Sequence, residues 1–274
     1  TRYEPIVHKN GKRYFYRFTV HQRIQHVIMF VSIILLALTG FPLRHAEEAW
    51  ARPLYDFFGG PEVAPMVHRY AGTILFVLFF YHTAYWIYVF FSDRLGKLKR
   101  ENRLTPGQAI KEFFALDMMP NKKDVVDFIQ LWKYLLFISN RRPRHERISW
   151  REKFDYFAPY WGIPIVGVSG VLLWWRDELS HYIPGIAMNA AYIMHTDEAL
   201  LAILFLFFVH MYNVHFAPEK FPGGTVWITG YLTEHEMIHE HYAEYVRVMT
   251  EQGLEDQIQP QPGDDTVPLT SSGG

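Results

Sequence analysis

Four long apolar stretches dominate the pattern of hydrophobic and polar positions along this chain. They cover about residues 27–43, 66–91, 157–175 and 186–216. Each is close to the roughly 20 helical residues that cross a bilayer. Tryptophan and tyrosine cluster near their ends, as in the interfacial belts of membrane proteins. The pattern predicts an all-α integral membrane protein built on a four-helix transmembrane bundle.

The segments outside the four stretches are polar. The long second loop, 92–156, contains a shorter apolar stretch from Val125 to Ser139, which we expect to form an amphipathic helix lying on the membrane or on a partner. Residues 225–274 form a tail, which we interpret as a helix followed by an irregular, partner-docking segment. The predicted division is therefore 1–224 for the four-span core and 225–274 for the tail.

Lysine and arginine are distributed unevenly among the loops. Residues 1–26 carry six against one acid and the loop 92–156 carries fifteen against nine, whereas 44–65 carries two and 176–185 carries one. Positive charge is retained on the cytoplasmic side of a membrane. We therefore expect a multi-pass protein of the bacterial inner membrane with both termini and the long loop in the cytoplasm.

The composition excludes several classes of protein. With no cysteine in 274 residues there is no disulfide framework, no thiolate zinc or iron–sulfur site, and no covalent attachment of c-type haem. A formal net charge of −1 gives no basic footprint for nucleic acid. The most unusual feature of the composition is the large number of histidines, 14 in 274 residues.

Four of these histidines lie inside the predicted spans, where an ionisable side chain indicates function. His68 and His82 are 14 residues apart on the second span, and His195 and His210 are 15 apart on the fourth. At about 100° per residue each pair returns to roughly one side of its helix, with its members about 21–23 Å apart along the axis. Antiparallel spans place His68 level with His195 near the outer face and His82 level with His210 near the inner face. Opposed imidazoles at two depths predict bis-histidine haem ligation.

Small and basic neighbours agree with a cofactor at these histidines. Gly72 and Ala199 each lie four residues after a proposed ligand and would let a flat macrocycle approach the helix. Arg69, beside His68, is a candidate partner for a haem propionate. A histidine proton path without haem and a zinc or copper site are the alternatives, as are plain helix packing for the small residues and interfacial anchoring for the arginine.

A second motif, in the tail, requires a separate interpretation. The run from His235 through Glu236 to His239 matches the H-E-x-x-H pattern of zinc proteases. It lies in a segment with the pattern of an exposed amphipathic helix, and no third ligand of the usual spacing follows it. We interpret the segment as a docking helix and keep a membrane protease as an alternative.

The chain resembles the four-helix di-haem cytochrome b subunits of membrane-bound formate dehydrogenases and their relatives in nickel–iron hydrogenases. It is most similar to the branch that is associated with multihaem c-type cytochromes. The resemblance covers about residues 13–250, and the segments that carry it are RFTVHQRIQHVIMF (17–30), MVHRYAG (66–72), WREKFDYFAPYWG (150–162) and MHTDEALLAILFLFFVHMYNVHFAPEKFPGG (194–224).

The resemblance implies an electron-transfer subunit of a hetero-oligomeric, quinone-linked oxidoreductase complex of the respiratory chain. Its quinone, menaquinone or ubiquinone, would react near the inner face. Its partner would be a periplasmic redox subunit, either a multihaem c-type cytochrome or a molybdenum/iron–sulfur enzyme. The resemblance also implies that His68 and His195 hold an outer haem b, and that His26 and His210 hold an inner one.

The inner ligand set is therefore open, because the spacing argument selects His82 where the resemblance implies His26. Three arrangements are possible. In the first, His26 ligates the inner haem and His82 lines the quinone site. In the second, His82 ligates the inner haem and His26 does not. In the third, a third haem b uses the spare histidines, including His215.

Quinone chemistry needs a proton relay beside an electron donor. The candidates at the inner interface are His82, Asn213, His215, Glu152, Lys153 and Tyr156. For the charges around Glu152, a solvated helix start before the third span is the alternative interpretation. For the whole chain, the alternative functions are a stand-alone transmembrane haem b reductase and a non-haem, histidine-based proton or metal transporter.

Overall fold

The computed structural model describes residues 5–217, 220–221 and 223–262. Its helices are α1 (Val20–Arg44), α2 (Ala51–Phe57), α3 (Gly60–Val89), α4 (Gly96–Arg100), α5 (Pro106–Phe114), α6 (Lys122–Leu135), α7 (Trp150–Trp174), α8 (Arg176–Leu179), α9 (Gly185–Phe205), α10 (Val226–Thr229), α11 (Glu234–Glu240) and α12 (Tyr242–Glu251). The strands are β1 (Ile6–Lys9), β2 (Lys12–Tyr16) and β3 (Tyr231–Thr233). Segments of π-helix cover Phe90–Leu95, Leu206–His210 and Tyr212–Phe216, and a 3-10 turn covers Glu255–Gln257.

Within the described residues, four helical runs are long and apolar enough to cross a membrane. They are Val20–Arg44, Gly60–Arg100, Trp150–Trp174 and Gly185–Phe216. Large apolar side chains along them, such as Val77, Trp161 and Phe207, are exposed. Lipid accommodates such surface whereas water does not, so these side chains contact lipid. The predicted all-α, four-span membrane bundle is confirmed, and each run extends beyond its apolar stretch because the helix continues into polar sequence.

Local sequence determines where several helices begin. The Thr19 hydroxyl accepts a hydrogen bond from the Gln22 amide, and the Gln22 side chain accepts one from the Thr19 amide. Asn121 and Asp124 make the same reciprocal pair at the start of α6. Such capping boxes satisfy backbone N–H groups that have no partner within the helix, so these two starts are encoded in adjacent residues.

The chain divides into two compact units. Unit 1 comprises the described parts of Thr1–Phe18, Leu98–Tyr156 and His215–Gly274, and unit 2 comprises Thr19–Lys97 and Phe157–Val214. Unit 1 thus collects the two terminal segments and the long loop, and unit 2 holds most of the four spans. This differs from the division at residue 224 that the sequence suggests, because the tail packs with the N-terminal strands instead of standing alone.

Unit 1 contains a small antiparallel sheet, in the order β1-β2-β3, that the sequence analysis did not predict. Asn10 and Gly11 join β1 to β2, both with positive φ (52° and 71°), as a tight hairpin turn requires. Phe15 of β2 pairs with Leu232 of β3, so the N-terminal hairpin binds the tail. The core against this sheet comprises Phe15, Leu232, Met237, Ile238, Tyr242, Tyr245 and Met249.

The tail differs from the exposed amphipathic helix that its sequence suggests. It forms two helices, α11 and α12, which meet at His241. Met237, Tyr245 and Met249 on these helices are buried in the core of unit 1, because β2 and β3 cover their apolar side. The tail is therefore a structural part of unit 1. The predicted irregular segment begins at Gln257, and the part of it after residue 262 lies outside the described residues.

Candidate functional site

His68 on α3 and His195 on α9 face each other within unit 2. Their ring centroids are 6.2 Å apart, with an interplanar angle of 69°. An imidazole nitrogen binds a metal at about 2.0 Å and the ring centre lies about 1.2 Å behind it, so two rings on opposite sides of one iron have centres about 6.4 Å apart. The spacing of this outer pair fits bis-histidine ligation of a single iron.

The ring of His68 is oriented by Thr39 on α1. The Thr39 hydroxyl donates to the Leu35 carbonyl at 2.6 Å and lies 2.9 Å from His68 Nδ1. Because the hydroxyl hydrogen is used on Leu35, the oxygen accepts a hydrogen bond from Nδ1–H of His68. The lone pair then resides on Nε2, which is the nitrogen available to a metal. Thr39 is only 1% exposed, so water does not compete for this bond.

His195 is oriented in the same way by α7. Its Nδ1 lies 2.9 Å from the Val166 carbonyl, which can only accept a hydrogen bond. Nδ1 therefore carries the hydrogen, and Nε2 is again the nitrogen left for a metal. Ser169, 3.4 Å from the same Nδ1, uses its hydroxyl hydrogen on the Ile165 carbonyl at 2.6 Å. Both rings of the outer pair thus have the tautomer that metal ligation needs.

Two glycines make room for the outer pair. A Cβ atom at Gly40 would lie 3.0 Å from Cε1 of His68, and one at Gly170 would lie 2.9 Å from Cε1 of His195. Real Cβ atoms essentially never make contacts below 3.0 Å, and a contact at 3.0 Å is tighter than nine in ten of them. Each glycine therefore permits an imidazole to approach its helix. Gly72, which the sequence singles out for this purpose, has Leu36 as its neighbour, at an ordinary 3.7 Å.

A second histidine pair lies elsewhere in unit 2. The rings of His26 on α1 and His210 have centroids 6.5 Å apart, with an interplanar angle of 45°. His210 ends the π-helical segment Leu206–His210. A π-helical turn changes the direction of the side chains that follow, and such turns are frequent at functional sites. The spacing of this inner pair also fits two axial ligands of one iron.

The two pairs lie at different levels along the helices. His26 is 13 residues before Thr39, the residue that contacts His68, which is about 20 Å along α1 at the helical rise. His195 and His210 are 15 residues apart, which is about 22 Å by the same rise. Two separate helices therefore give the same distance, and unit 2 has one histidine pair near each end.

A comparison of the sequence with models of known families gives the family of this chain. The family model for prokaryotic cytochrome b561 matches residues 17–221, a range that includes both histidine pairs. The chain belongs to the prokaryotic cytochrome b561 family. It is a transmembrane b-type cytochrome that functions in electron transfer in a bacterial membrane. Members of this family bind haem b. A search of curated proteins found no significant match.

The predicted relation to cytochromes b is thereby confirmed at the level of the family. The closer relation to the formate dehydrogenase branch stays a prediction. The side chains of the cytochrome fit haem b independently of the family. The Thr39 hydroxyl and the Val166 carbonyl fix Nδ1–H of His68 and His195. Gly40 and Gly170 leave room for the two rings. The individual ligand assignments are developed as proposals below.

His82 of the cytochrome takes part in a chain of polar side chains. Its Nδ1 is 2.5 Å from Oε1 of Gln25, and Nε2 of Gln25 is 2.9 Å from Nε2 of His21. That same His21 nitrogen is 2.9 Å from the Tyr81 hydroxyl. Gln25 is buried and Tyr81 is exposed. The chain therefore leads from the interior, one residue from His26, to the surface of unit 2.

The charged residues near the outer pair have partners within the protein. Arg44 Nη2 is 3.1 Å from Asp197, and its Nη1 donates to the Thr196 carbonyl at 3.1 Å. Arg69, predicted to bind a propionate, stacks over the Trp174 ring at 5.3 Å. Arg44 thus supplies the partner that an acid at this depth needs. The predicted role of Arg69 in cofactor binding stays a prediction.

The remaining predicted relay residues lie in three places. Lys153 is buried in unit 1 and bonds Asp124 at 2.7 Å, and Glu152 caps the start of α7 through Ser149. Asn213 and His215 lie in the π-helical segment Tyr212–Phe216. Tyr156 lies on α7 and Ala199 on α9, both partly exposed. Glu152 and Lys153 therefore make structural bonds. A part in proton transfer stays a prediction for these five relay candidates, and close approach of a haem stays one for Ala199.

The H-E-x-x-H segment forms α11. Glu236 accepts hydrogen bonds from the amide and hydroxyl of Thr233, at 2.7 and 2.8 Å, and so closes a capping box. His235 and His239 stack on the outer side of the helix with centroids 4.0 Å apart. The glutamate that a protease would use as its base is thus engaged in starting a helix, which agrees with a structural interpretation of this motif.

A buried ionic cluster joins the three segments of unit 1. Arg17 bonds Glu244 and Glu152, each at 2.9 Å, and Arg147 bonds Glu244 at 2.9 Å. His241, 2% exposed, lies 3.3 Å from Arg17. Burial, together with the charge of Arg17, lowers the pKa of His241 to about 3. The cluster therefore holds His241 neutral between a cation and an anion.

Several residues of the site were missed by the sequence analysis. They are Thr39, Gly40, Val166, Gln25, His21 and Tyr81. Each acts across a helix–helix contact, and its importance depends on which side chain it meets on another helix. Spacing along one helix contains no information about such contacts. His21 alone had a signal, as a histidine one turn from Gln25 at the start of the first span.

Proposed function

We propose that this cytochrome carries electrons across the membrane between a quinone pool on one side and a partner redox protein on the other. The observation that carries the proposal is the presence of two facing histidine pairs, with ring centroids 6.2 and 6.5 Å apart, about 20 Å from each other along the helices. One carrier in each half of the bilayer is what transfer across its full thickness requires.

His68 and His195 are the proposed ligands of the outer haem b, and His26 and His210 those of the inner one. When bound, haem b supplies one-electron exchange at its iron. The protein supplies ligation and orientation: Thr39 and the Val166 carbonyl hold the outer rings with Nε2 toward the metal. His26 is favoured over His82 as the inner partner because its ring faces that of His210.

His82 is then available for proton transfer at a quinone site, with Asn213 and His215 as further candidates on the fourth span. The chain from His82 through Gln25 and His21 to Tyr81 supports this role, since the Gln25 amide joins the two imidazoles. The amide would accept a proton at Oε1 while its Nε2 releases one to His21. The substrate would be a menaquinone or ubiquinone. Transfer of electrons without a route for protons would leave the quinone reaction incomplete.

The side of the membrane follows from charge. Unit 1 contains the basic N-terminal segment and the basic long loop, so the positive-inside rule assigns it, with both termini, to the cytoplasm. The partner then docks on the periplasmic side, close to His68 and His195. Because the chain has no cysteine, iron–sulfur or covalently attached haem must belong to that partner, which fits a molybdenum/iron–sulfur enzyme or a multihaem c-type cytochrome.

The test of this function uses the purified cytochrome in lipid nanodiscs. A short-chain ubiquinol and reduced menadione are added separately, and reduction of haem b is followed optically. At least one quinol should reduce the haem, and Tyr81→Phe should slow that reduction by about tenfold, because it removes the last group of the proton chain. Tyr88→Phe, at an exposed tyrosine on the same helix, is the matched control.

The outcomes separate the parts of the proposal. Haem that is reduced by dithionite but by neither quinol would overturn the quinone function. Equal rates for the Tyr81 and Tyr88 variants would overturn the proton chain while leaving the electron route intact. Copurification of a c-type cytochrome or of molybdenum would identify the class of partner, and isolation of an active single subunit would favour a stand-alone reductase.

A further inference from the structure

Helix α6 in unit 1 packs through its polar side. Asp127, 8% exposed, accepts hydrogen bonds from Lys123 at 2.7 Å and from His145 at 3.1 Å. Gln130, on the same side, donates to the Arg141 carbonyl at 2.7 Å. A helix on the surface of a water-soluble domain does the opposite, burying its apolar side and exposing its polar one. The orientation of α6 is therefore inverted.

The side of α6 that faces outward is apolar. The outer residues, which we call the α6 face, are Val125, Val126, Ile129, Trp132 and Leu136, and all of them are exposed. They recur at the three- and four-residue spacing of one helical stripe. A contiguous apolar stripe of this kind indicates a surface that is covered in the assembled protein.

The end of α6 extends the same surface. Phe137 is 94% exposed and has φ of +57°, a left-handed conformation that is unfavourable for an aromatic residue. The Ile138 amide bonds the Lys133 carbonyl at 2.8 Å, and the Phe137 amide bonds that of Tyr134 at 3.1 Å. Glycine is the usual residue at this place in such a helix end. The chain instead holds an aromatic ring outward there, next to exposed Ile138.

We propose that the α6 face and the Phe137 tip lie in the boundary between headgroups and acyl chains of an anionic bilayer. The charges fit that occupant, because the exposed cations Lys122 and Lys133 lie on the same side of the helix as the stripe and attract anionic headgroups. An apolar stripe with an indole and flanking lysines is the composition of interfacial helices.

The chain also keeps α6 close to a membrane. The membrane-crossing runs Gly60–Arg100 and Trp150–Trp174 flank it in sequence, at distances of 21 and 14 residues. A protein partner would need hydrogen-bonding groups and a shaped surface, whereas the α6 face offers aliphatic carbon and one indole. The bilayer is therefore the favoured occupant. This surface is independent of haem, quinone and the redox partner, and so the inference goes beyond the proposed function.

The absence of cysteine allows a direct test on the full chain. A nitroxide spin label is placed at Phe137→Cys, at Ile129→Cys on the α6 face, and at Gln252→Cys, an exposed polar control in unit 1. In nanodiscs containing anionic lipid, without any partner subunit, accessibility to oxygen is compared with accessibility to a water-soluble nickel chelate. Both test sites should have an oxygen-to-nickel ratio at least about fivefold above that of the control, because oxygen concentrates in the acyl region.

Ratios at both test sites equal to the control would overturn the proposal. Protection that appears only when a second, cytoplasmic protein is added would also overturn it, in favour of a protein docking surface. An unchanged haem b spectrum shows that each labelled variant is folded. Phe137→Asn, combined with the label at Ile129→Cys, removes the ring and keeps a residue that tolerates positive φ; the ratio at Ile129→Cys should fall about twofold or more if the tip helps to anchor the helix.

Discussion

The Thr39 hydroxyl lies 2.9 Å from Nδ1 of His68 while donating its own hydrogen to the Leu35 carbonyl. One buried hydroxyl on the first membrane helix thereby determines the tautomer of a histidine on the second. This contact leaves Nε2 of His68 as the nitrogen that can bind a metal. It also connects α1, α3 and α9, because the ring that Thr39 orients faces His195 on α9.

Replacing Thr39 by valine should weaken the outer haem. Valine keeps the shape of threonine and removes the acceptor of His68 Nδ1–H, so the ring loses its fixed orientation. Loss of such a hydrogen bond lowers metal affinity by about 10–100-fold. The measurement is the rate at which haem transfers to an excess of a haem-accepting protein. Thr73→Val is the control, since the Thr73 hydroxyl donates to the Arg69 carbonyl of its own helix at 2.9 Å. Equal rates for both variants would show that Thr39 does not orient the ligand.

Replacing Gly170 by alanine should remove the outer haem. The new Cβ would lie 2.9 Å from Cε1 of His195 and would force the ring away from His68. Because a bis-histidine site needs both nitrogens in place, we expect the haem content to fall from two to about one per chain. Gly72→Ala, where the nearest atom is 3.7 Å away, should keep both haems. Haem loss confined to Gly72→Ala would instead favour the macrocycle position that the sequence suggests.

Acid should loosen the tail of the protein. The pKa of His241 in the folded protein is about 3, lowered first by burial and then by Arg17, whereas the ordinary value is 6.5. Between these values the unfolded chain binds a proton that the folded chain does not, so stability is full above about pH 6.5 and declines as the pH falls. Opening of α12, measured by hydrogen exchange, should increase by up to about tenfold per pH unit. His241→Gln should reduce this slope, and His235→Gln, at an exposed histidine of α11, should not; identical slopes would contradict the prediction.

Much of the architecture could be predicted from the sequence because long apolar runs have few alternatives to crossing a bilayer. The N-terminal hairpin could also have been predicted, because Asn10-Gly11 between two strand-like segments is a strong turn signal. The pairing of β2 with β3 could not be predicted from the sequence, because it joins residues more than 200 positions apart.

The histidines show the limit of reasoning from one helix at a time. Periodicity indicates that His68 and His82 share a side of α3, but it does not reveal which neighbouring helix each one meets. In the structure His68 faces His195, while Gln25 bonds His82. The resemblance to known di-haem subunits pointed to His26, and the geometry of His26 and His210 agrees with it. Family patterns include contacts between helices, which spacing does not.

Counting haem b per chain in single variants shows whether the two histidine pairs hold two haems. We expect two haems in the unaltered protein and in His82→Ala, and one haem in each of His26→Ala, His68→Ala, His195→Ala and His210→Ala. Three haems in the unaltered protein, or loss of the inner haem in His82→Ala with both retained in His26→Ala, would contradict this expectation.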